Sequence, residues 1–570
     1  MSGLSSLLVL LVSTILGADR PPQVQSTRGM VVSVSPEASD AGLEMLKSGG
    51  NAVDAAVATA LALAVTFPEA GNIGGGGFMM VWPGPVENAA TPIKPVCVEY
   101  RETCPAALGR NSFLNEKRQE GHHTVGVPGT VRGLALAHET FGKLKWSQLV
   151  APAIRLADEG FSIDAALAAA LNKMLGPPTA DFAEFRHVYG KPDKSEWKAG
   201  DKLVQPELAR TLKALADEGP DSFYRGRIAE QIVAEMQSGR GFITKDDLAN
   251  YKANLRKPVH TTYRGHDVYA PPPPSAGGTQ LIECLNILEQ FDVQSLGPKS
   301  PQFVHLLAES LRRAACDRCR YIGDPAFTPI PVEIGSKDHA RVLAREIDLT
   351  RATPSASLAP DIPLTNEPPS TTHFSVADGH GMAVANTYTL QNSYGSRVVV
   401  RGAGFLLNNE MTDFNWQPGV TTRKGQLGTE PNVMAPGKRM LSSQCPTLVA
   451  RDGKLLLATG SPGGRMIPST VLCVVVNVLD FGMSPREAVD APRWHHQWFP
   501  DRLQFERLPD PDYADLLTQL KLQGHSFSDE VKRLGDGYQK QGDAHTILLR
   551  EGVLHGAADW RRTVGKAAGW

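Results

Sequence analysis

The stretch AAVATALALAV, residues 55–65, constrains this chain more than any other. Apolar side chains occupy every face of the helix it forms, so no face can be turned to water. Such a helix is stable only between other layers of structure. It is not a membrane span: Asp54 interrupts the apolar run that starts at Ala52, and Pro68 ends it soon after. Asn51 is placed to cap its N-terminus, with Asp54 in the first turn, where negative charge is favoured.

The remaining sequence supplies those layers. Val31 to Val34 reads as a short strand and Ala38 to Lys47 as a helix ended by Ser48-Gly49-Gly50. FMMVW, after the glycines Gly74 to Gly77, reads as another strand. WSQLVAPAIRLADEGF and ELARTLKALADEG carry apolar residues at helical spacing, and residues 130–255 are mainly helical by pattern. APPPPS makes a rigid turn before the helix GGTQLIECLNILEQF. Residues 353–370, rich in Pro, Ser and Thr, have the composition of an exposed, flexible linker. Strands return at once: THFSVADGHGMAVANTYTL reads as two strands about a glycine-rich turn, and CPTLVARDGKLLLATG as a hairpin on Asp452-Gly453. SPGGR then opens the helix MIPSTVLCVVVNVLDF. Together these elements predict packed layers of sheet and helix.

Composition narrows the partners. The 570 residues carry a net charge of -2 and 42% hydrophobic residues, as an ordinary globular protein does. Nothing in that balance points to nucleic acid or an acidic membrane surface. The seven cysteines are odd in number and scattered, which is no disulfide scaffold. Cys316 and Cys319 form a C-x-x-C without the second pair or thioredoxin-like context that a metal or redox role needs, and read as buried helix thiols. His495-His496 are adjacent, point differently and lack an HExxH frame, so they read as structural. No metal and no cofactor is expected. At the N-terminus, Leu7 to Leu16 is apolar over signal-peptide length and is followed by Gly17-Ala18, although no Lys or Arg precedes it. Residues 1–18 are expected to be a signal peptide, and the chain to be exported to a periplasm or secreted.

Several residues could carry chemistry, each with a plainer alternative. Thr371 begins a strand straight after the linker. It is a structural threonine, or a nucleophile whose base is its own α-amino group once the preceding bond is cut; that amine has a pKa of about 7.7–8.0. Gly463-Gly464 form a tight turn, or present backbone N–H groups at a helix N-terminus as an oxyanion hole. Glu410 and Asp413, at i and i+3, are a solvated acidic face or hold an ammonium group. Arg101 pairs with a neighbour such as Glu102, or clamps a carboxylate bidentately. Ser442-Ser443 cap a turn or hydrogen-bond a carboxylate. The run GNIGGGGF lacks a phosphate-loop ending and reads as close backbone packing.

The order of these segments is more specific than any one of them. NAVDAAVATALALAVTFPEAGNIGGGGFM, EYRET, GVPGTVRG, FYRGRIAE, TYRGHDVYAPPPPSAGG, ESLRRAACDRCRYIGDP, TTHFSVADGHGMAVANTYTL, GFLLNNEMTDF, KRMLSSQCPT, TGSPGGR and APRWHHQW resemble the γ-glutamyltranspeptidase family of N-terminal nucleophile hydrolases, from about Thr27 to Trp570. The resemblance implies an α+β fold, an αββα four-layer sandwich made by two autocleaved parts of one chain. Residues 19–370 would be the large subunit and 371–570 the small one. Thr371 matches the nucleophile and Thr389 the threonine whose hydroxyl contacts it. Gly463 and Gly464 match the oxyanion donors. Arg101, Ser442 and Ser443 match the α-carboxylate site, and Glu410 and Asp413 the α-amino site. The stretch between Asp413 and Leu441, with Met434-Ala435-Pro436-Gly437 inside it, resembles the loop that lids the glutamate site. Gln391 departs: many relatives place asparagine there. Two residues past Thr389, it is expected on the same strand, facing the same side.

The implied activity is transfer or hydrolysis of γ-glutamyl groups from glutathione and other γ-glutamyl amides. Water, an amino acid or a dipeptide would be the acceptor. An acylase of the same superfamily, acting on other N-acyl substrates, is the alternative. An uncleaved, inactive binding homologue is the second.

Overall fold

The computed structural model describes residues 20–84, 94–359, 365–366, 371–422, 425–426, 428–506, 512–527, 541–563 and 565–570. The expected signal peptide and Ser370 lie outside the described residues.

Two seven-stranded sheets stack face to face among these residues. In chain order the strands are β1 (Val24–Ser26), β2 (Gly29–Ser33), β3 (Gly76–Trp82), β4 (Val96–Glu99), β5 (Asn254–Arg256), β6 (Val259–Tyr263) and β7 (His266–Ala270). Then follow β8 (Thr372–Asp378), β9 (Ala383–Thr389), β10 (Thr447–Arg451), β11 (Lys454–Thr459), β12 (Thr546–Arg550), β13 (Val553–Ala557) and β14 (Lys566–Gly569). The first sheet runs β1-β13-β12-β11-β10-β7-β6 and the second β14-β2-β8-β9-β3-β4-β5. Neighbouring strands in both are antiparallel.

Side-chain alternation sorts each strand between two cores. Ala377, Ala383 and Ala385 face the first sheet, where they pack with Leu448, Ala458 and Ile547. Phe374, Val376 and Tyr388 turn the other way onto helices. On that side lie α1 (Pro36–Lys47), α2 (Ala52–Thr66), α3 (Trp146–Glu159) and α4 (Pro206–Glu218). The first sheet is covered by α5 (Ala276–Leu288), α6 (Pro301–Tyr321), α7 (Lys337–Arg345) and α8 (Ile467–Leu479). The result is the expected αββα sandwich. Both sheets draw strands from both sides of residue 371, so the two halves of the chain share one core.

The all-apolar helix is α2, and every one of its residues is buried. Asn51 caps it by accepting from the Val53 and Asp54 N–H groups, and Asp54 accepts from the Asn51 N–H at 2.9 Å. Asp54 also accepts from the N–H groups of Lys143 and Leu144, which fixes the approach to α3.

The linker departs from expectation at its start. Ser355–Leu358 is a short helix, and Ser355 is fully buried. Its carbonyl accepts from Trp498 Nε1 at 2.8 Å, and Ala359 packs with Trp498 and Phe499. Composition reports a lack of periodicity but not the apolar surface that a distant tryptophan supplies. Cys316 and Cys319, on α6, join the same cluster; burial pushes their thiols up to about 12 and about 11, leaving them inert as read. No helix of the described residues is long and apolar enough to cross a membrane.

Candidate active site

Thr371 stands at the start of β8, in the middle of the second sheet, and is 4% exposed. Alternation puts it on the same face as His373, Ser375 and Ala377, toward the first sheet. Thr372 pairs with Tyr388, so Thr371 comes opposite Thr389, and both line one cavity at the end of the sandwich. The glycine run makes this approach possible. A Cβ on Gly75 would sit 1.9 Å from the Thr389 carbonyl oxygen, and one on Gly77 would sit 2.4 Å from that of Thr387. Behind Thr371, His373 is buried against Thr387 Oγ1 at 2.8 Å. Burial, with His545 alongside, pushes its pKa well down, so the ring is neutral. Arg562 Nη1 donates to the Thr371 carbonyl at 3.2 Å.

Across the cavity, β11 ends and the chain turns through Gly463 and Gly464 into α8. Their φ angles are 131° and 56°, a region that favours glycine. Gly464 lines the cavity with Thr371; Gly463 does not, lying instead against the Gly542 backbone.

The clamp residues come together as one network rather than as two separate ends. Arg101, 1% exposed, touches Asp413, lies 2.8 Å from Glu410 and 3.4 Å from Glu102, and donates to the Leu441 carbonyl at 3.2 Å. Burial opposes its charge, but Glu410, Glu102 and Asp413 more than offset that and hold its pKa above the usual value. Glu410 is fully buried behind Arg101, so it is no solvated face, and it does not line the cavity; Asp413 does. Burial raises the Glu410 carboxyl well above its ordinary range and Glu102 to about 7, against the pull of Arg101. Of the three acids around this guanidinium, Asp413 is the one that reaches the cavity, where it is placed to meet an ammonium group.

The opposite wall is basic. The serine pair is held by the proline-rich turn: Ser442 N–H donates to the Pro274 carbonyl at 2.9 Å, and Ala276 N–H to that of Ser442 at 2.8 Å. Ser443 Oγ accepts from Arg318 Nη2 at 3.2 Å. Arg318, on α6, lines the cavity with Arg465; burial and the Arg465 charge pull its pKa down to about 10. Sequence reasoning missed both arginines. Arg465 directly follows the glycine pair, which was a usable signal; Arg318 sits inside the C-x-x-C, with none.

Gln391 corrects its expectation. Strand β9 ends at Thr389, and Gln391 lies beyond it with φ 80°, so alternation no longer places its side chain. Its N–H donates to Thr389 Oγ1 at 2.8 Å and its Nε2 to Asp413 Oδ1, so it reaches the cavity by another route. The stretch after Asp413 walls the cavity with Phe414, Asn415, Trp416 and Asn432. Asn432 Nδ2 donates to the Asp413 carbonyl and its Oδ1 accepts from Leu441 N–H at 2.8 Å, tying the acid wall to the serine wall. His495 and His496 are buried, on Ser469 Oγ at 2.8 Å and Arg312 Nη2 at 3.1 Å, and are structural as read.

The gamma-glutamyltranspeptidase profile matches residues 38–570. The chain belongs to the gamma-glutamyltranspeptidase family. Glutathione hydrolase proenzyme of Escherichia coli K12 is 42% identical over 556 residues, covering 96% of this chain and 93% of that one. Acylase ACY 1 proenzyme of Pseudomonas sp. SE83 is 35% identical over 545 residues, covering 94% and 92%. Among solved structures, the cephalosporin acylase of Bacillus halodurans superposes with a TM-score of 0.83 at 27% identity over 97% of each chain. The Helicobacter pylori gamma-glutamyltranspeptidase chain, at 37% identity and a TM-score of 0.55, covers 57% of this chain and 93% of its own.

Proposed function

We propose that this chain cleaves itself before Thr371 and then hydrolyses or transfers γ-glutamyl groups through an ester on Thr371. The observation that carries this is the position of Thr371: at a strand start, opposite Thr389, in one cavity with Gly464, an acid wall and a basic wall. The relatives' names, glutathione hydrolase proenzyme, support the same reading.

In maturation, Thr371 Oγ1 attacks the Ser370 carbonyl carbon. The Ser370–Thr371 C–N bond breaks and the amine leaves protonated. Water hydrolyses the resulting ester, freeing the Ser370 carboxylate, the Thr371 hydroxyl and its α-amine. Residues 19–370 become the large subunit and 371–570 the small one. In turnover that amine takes the hydroxyl proton as Oγ1 adds to the γ-carbonyl. The oxyanion is received by the N–H of Gly464, which lines the cavity, and by that of Gly463, directly before it in the turn. The C–N bond to the leaving amine breaks, and that amine carries the proton away. Water then yields glutamate; an amino acid or dipeptide amine yields the transfer product. Asp413, with Glu410 and Gln391 behind it, meets the donor's α-ammonium. Ser442 and Ser443, backed by Arg101 and Arg318, meet its α-carboxylate. Held at both charges, the donor presents its γ-carbonyl to Thr371 as if intramolecularly. The stretch between Asp413 and Leu441 covers the bound glutamate. We also assign residues 1–18 as a signal peptide and the mature protein to the periplasm or medium.

The acylase reading draws support from the cephalosporin acylase superposition. Incubation of purified protein with glutathione and γ-glutamyl-p-nitroanilide, with and without glycylglycine, separates the two. Release of glutamate, and of γ-glutamyl-glycylglycine when the dipeptide is present, is expected. Activity on N-acyl substrates lacking an α-amino group, and none on these donors, would favour the acylase.

A further inference from the structure

A second constellation lies in the outer helical layer, away from the cavity. Glu283 on α5, Asp317 on α6 and His339 on α7 converge so that one ligand atom from each lies within 4.8 Å of the others. His339 Nε2 is 2.6 Å from Asp317 Oδ2. Glu283 is 1% exposed, and its Oε1 is buried without a hydrogen-bond partner among the described residues. A buried carboxylate oxygen left without a donor costs free energy, and the group facing it here is another carboxyl, that of Asp317.

We propose that Glu283, Asp317 and His339 bind one divalent transition-metal ion. One imidazole nitrogen and two carboxylate oxygens are a ligand set suited to zinc, whereas magnesium and calcium take oxygen alone. Two carboxylates and a neutral imidazole also balance a charge of two. Tetrahedral ligands at about 2.0–2.1 Å from zinc stand about 3.3 Å apart, so small rotamer changes close the present spread. The side chains of Asp317 and His339 are 13% and 27% exposed, which gives the ion an entry path and leaves room for a water as fourth ligand. The ion staples three helices. Because Asp317 precedes Arg318, it also fixes the turn of α6 that reaches Ser443. Its role is therefore structural, outside the bond-breaking chemistry. The ligands come from three separate helices, so no short spacing marks them in the sequence, where no metal was expected.

The test uses the purified full-length protein after EDTA treatment, titrated with zinc chloride. Calorimetry is expected to find one tight zinc per chain, and the melting temperature to rise with zinc. Glu283→Gln and His339→Gln, folded by circular dichroism and active without zinc, are expected to bind about 100-fold more weakly and lose the thermal shift. No zinc uptake by the wild type, or equal uptake by both variants, would overturn the proposal. If a variant does not fold, anomalous diffraction from zinc-soaked wild-type crystals decides. An ion between α5, α6 and α7 supports the site, and an ion elsewhere overturns it.

Discussion

Asp413 does three jobs at once. Its carboxylate meets Arg101 and the Gln391 amide, and its carbonyl accepts from Asn432. Asp413→Asn keeps the shape and removes the charge. It is expected to weaken donors with a free α-amino group by roughly 10- to 100-fold, the equivalent of about 1.5–3 kcal/mol for a charged hydrogen bond. Comparing KM for γ-glutamyl-p-nitroanilide and its N-acetyl form reads this directly; an equal loss on both would show that Asp413 does not meet the amine. Gln391 is a different case. Its φ of 80° suits asparagine better than glutamine, so Gln391→Asn should fold well. The shorter side chain gives up its reach to Asp413. Donor affinity or the ratio of transfer to hydrolysis should therefore shift, by about 1–3 kcal/mol at most. Identical kinetics in mutant and parent would show the contact to be idle.

Among the elements, the glycine run and the α2 cap were both legible before any coordinates. At Gly75 an added Cβ meets the Thr389 carbonyl oxygen at 1.9 Å, so β9 must move. Gly75→Ala is expected to abolish activity and lower stability by more than about 3 kcal/mol, the range of severe overpacking, as a melting curve would show. Asn51→Ala, remote from the cavity, should cost about 1 kcal/mol in urea denaturation and leave kcat unchanged. The layered fold could be read because α2, the hairpin on Asp452-Gly453 and the strand Thr372–Asp378 each announce themselves by local pattern. What stayed hidden depends on distant partners. Nothing local in Ser355–Leu358 reveals that Trp498 will cover it, and nothing near Arg318 reveals Ser443. The left-handed turn at Gln391 was hidden because a strand's end is set by pairing, not by composition. Glu410 and Asp413 were legible as a pair but not in their division of labour, since burial behind Arg101 is a property of the assembled wall.

At the scale of the whole molecule, two consequences follow from the shared core. First, buried histidines make it acid-sensitive. Burial pushes His495 and His496 down to about 4, whereas unfolded histidine sits near about 6.5. The unfolded chain therefore takes up these protons first; their stabilisation is complete above about pH 6.5 and is lost as pH falls toward about 4. Buried carboxyls with raised pKa, such as Glu410, act in the opposite sense, so the informative quantity is a difference. Between pH 7.5 and pH 5, His495→Gln should lose about 2 kcal/mol less than the parent in chemical denaturation; an equal loss would show that His495 is already charged in the fold. Second, because β8, β9 and β14 are hydrogen-bonded to β2 and β3 within one sheet, chains cut before Thr371 should part only on denaturation. A denaturing gel should show two bands where native chromatography shows one species, and Thr371→Ala should remain a single band. Mass spectrometry of enzyme acid-quenched during turnover of γ-glutamyl-p-nitroanilide tests the role of Thr371 most directly. A peptide beginning at Thr371 and carrying one γ-glutamyl ester is the expected result, whereas an active, uncut chain, or an adduct on any other residue, would contradict it.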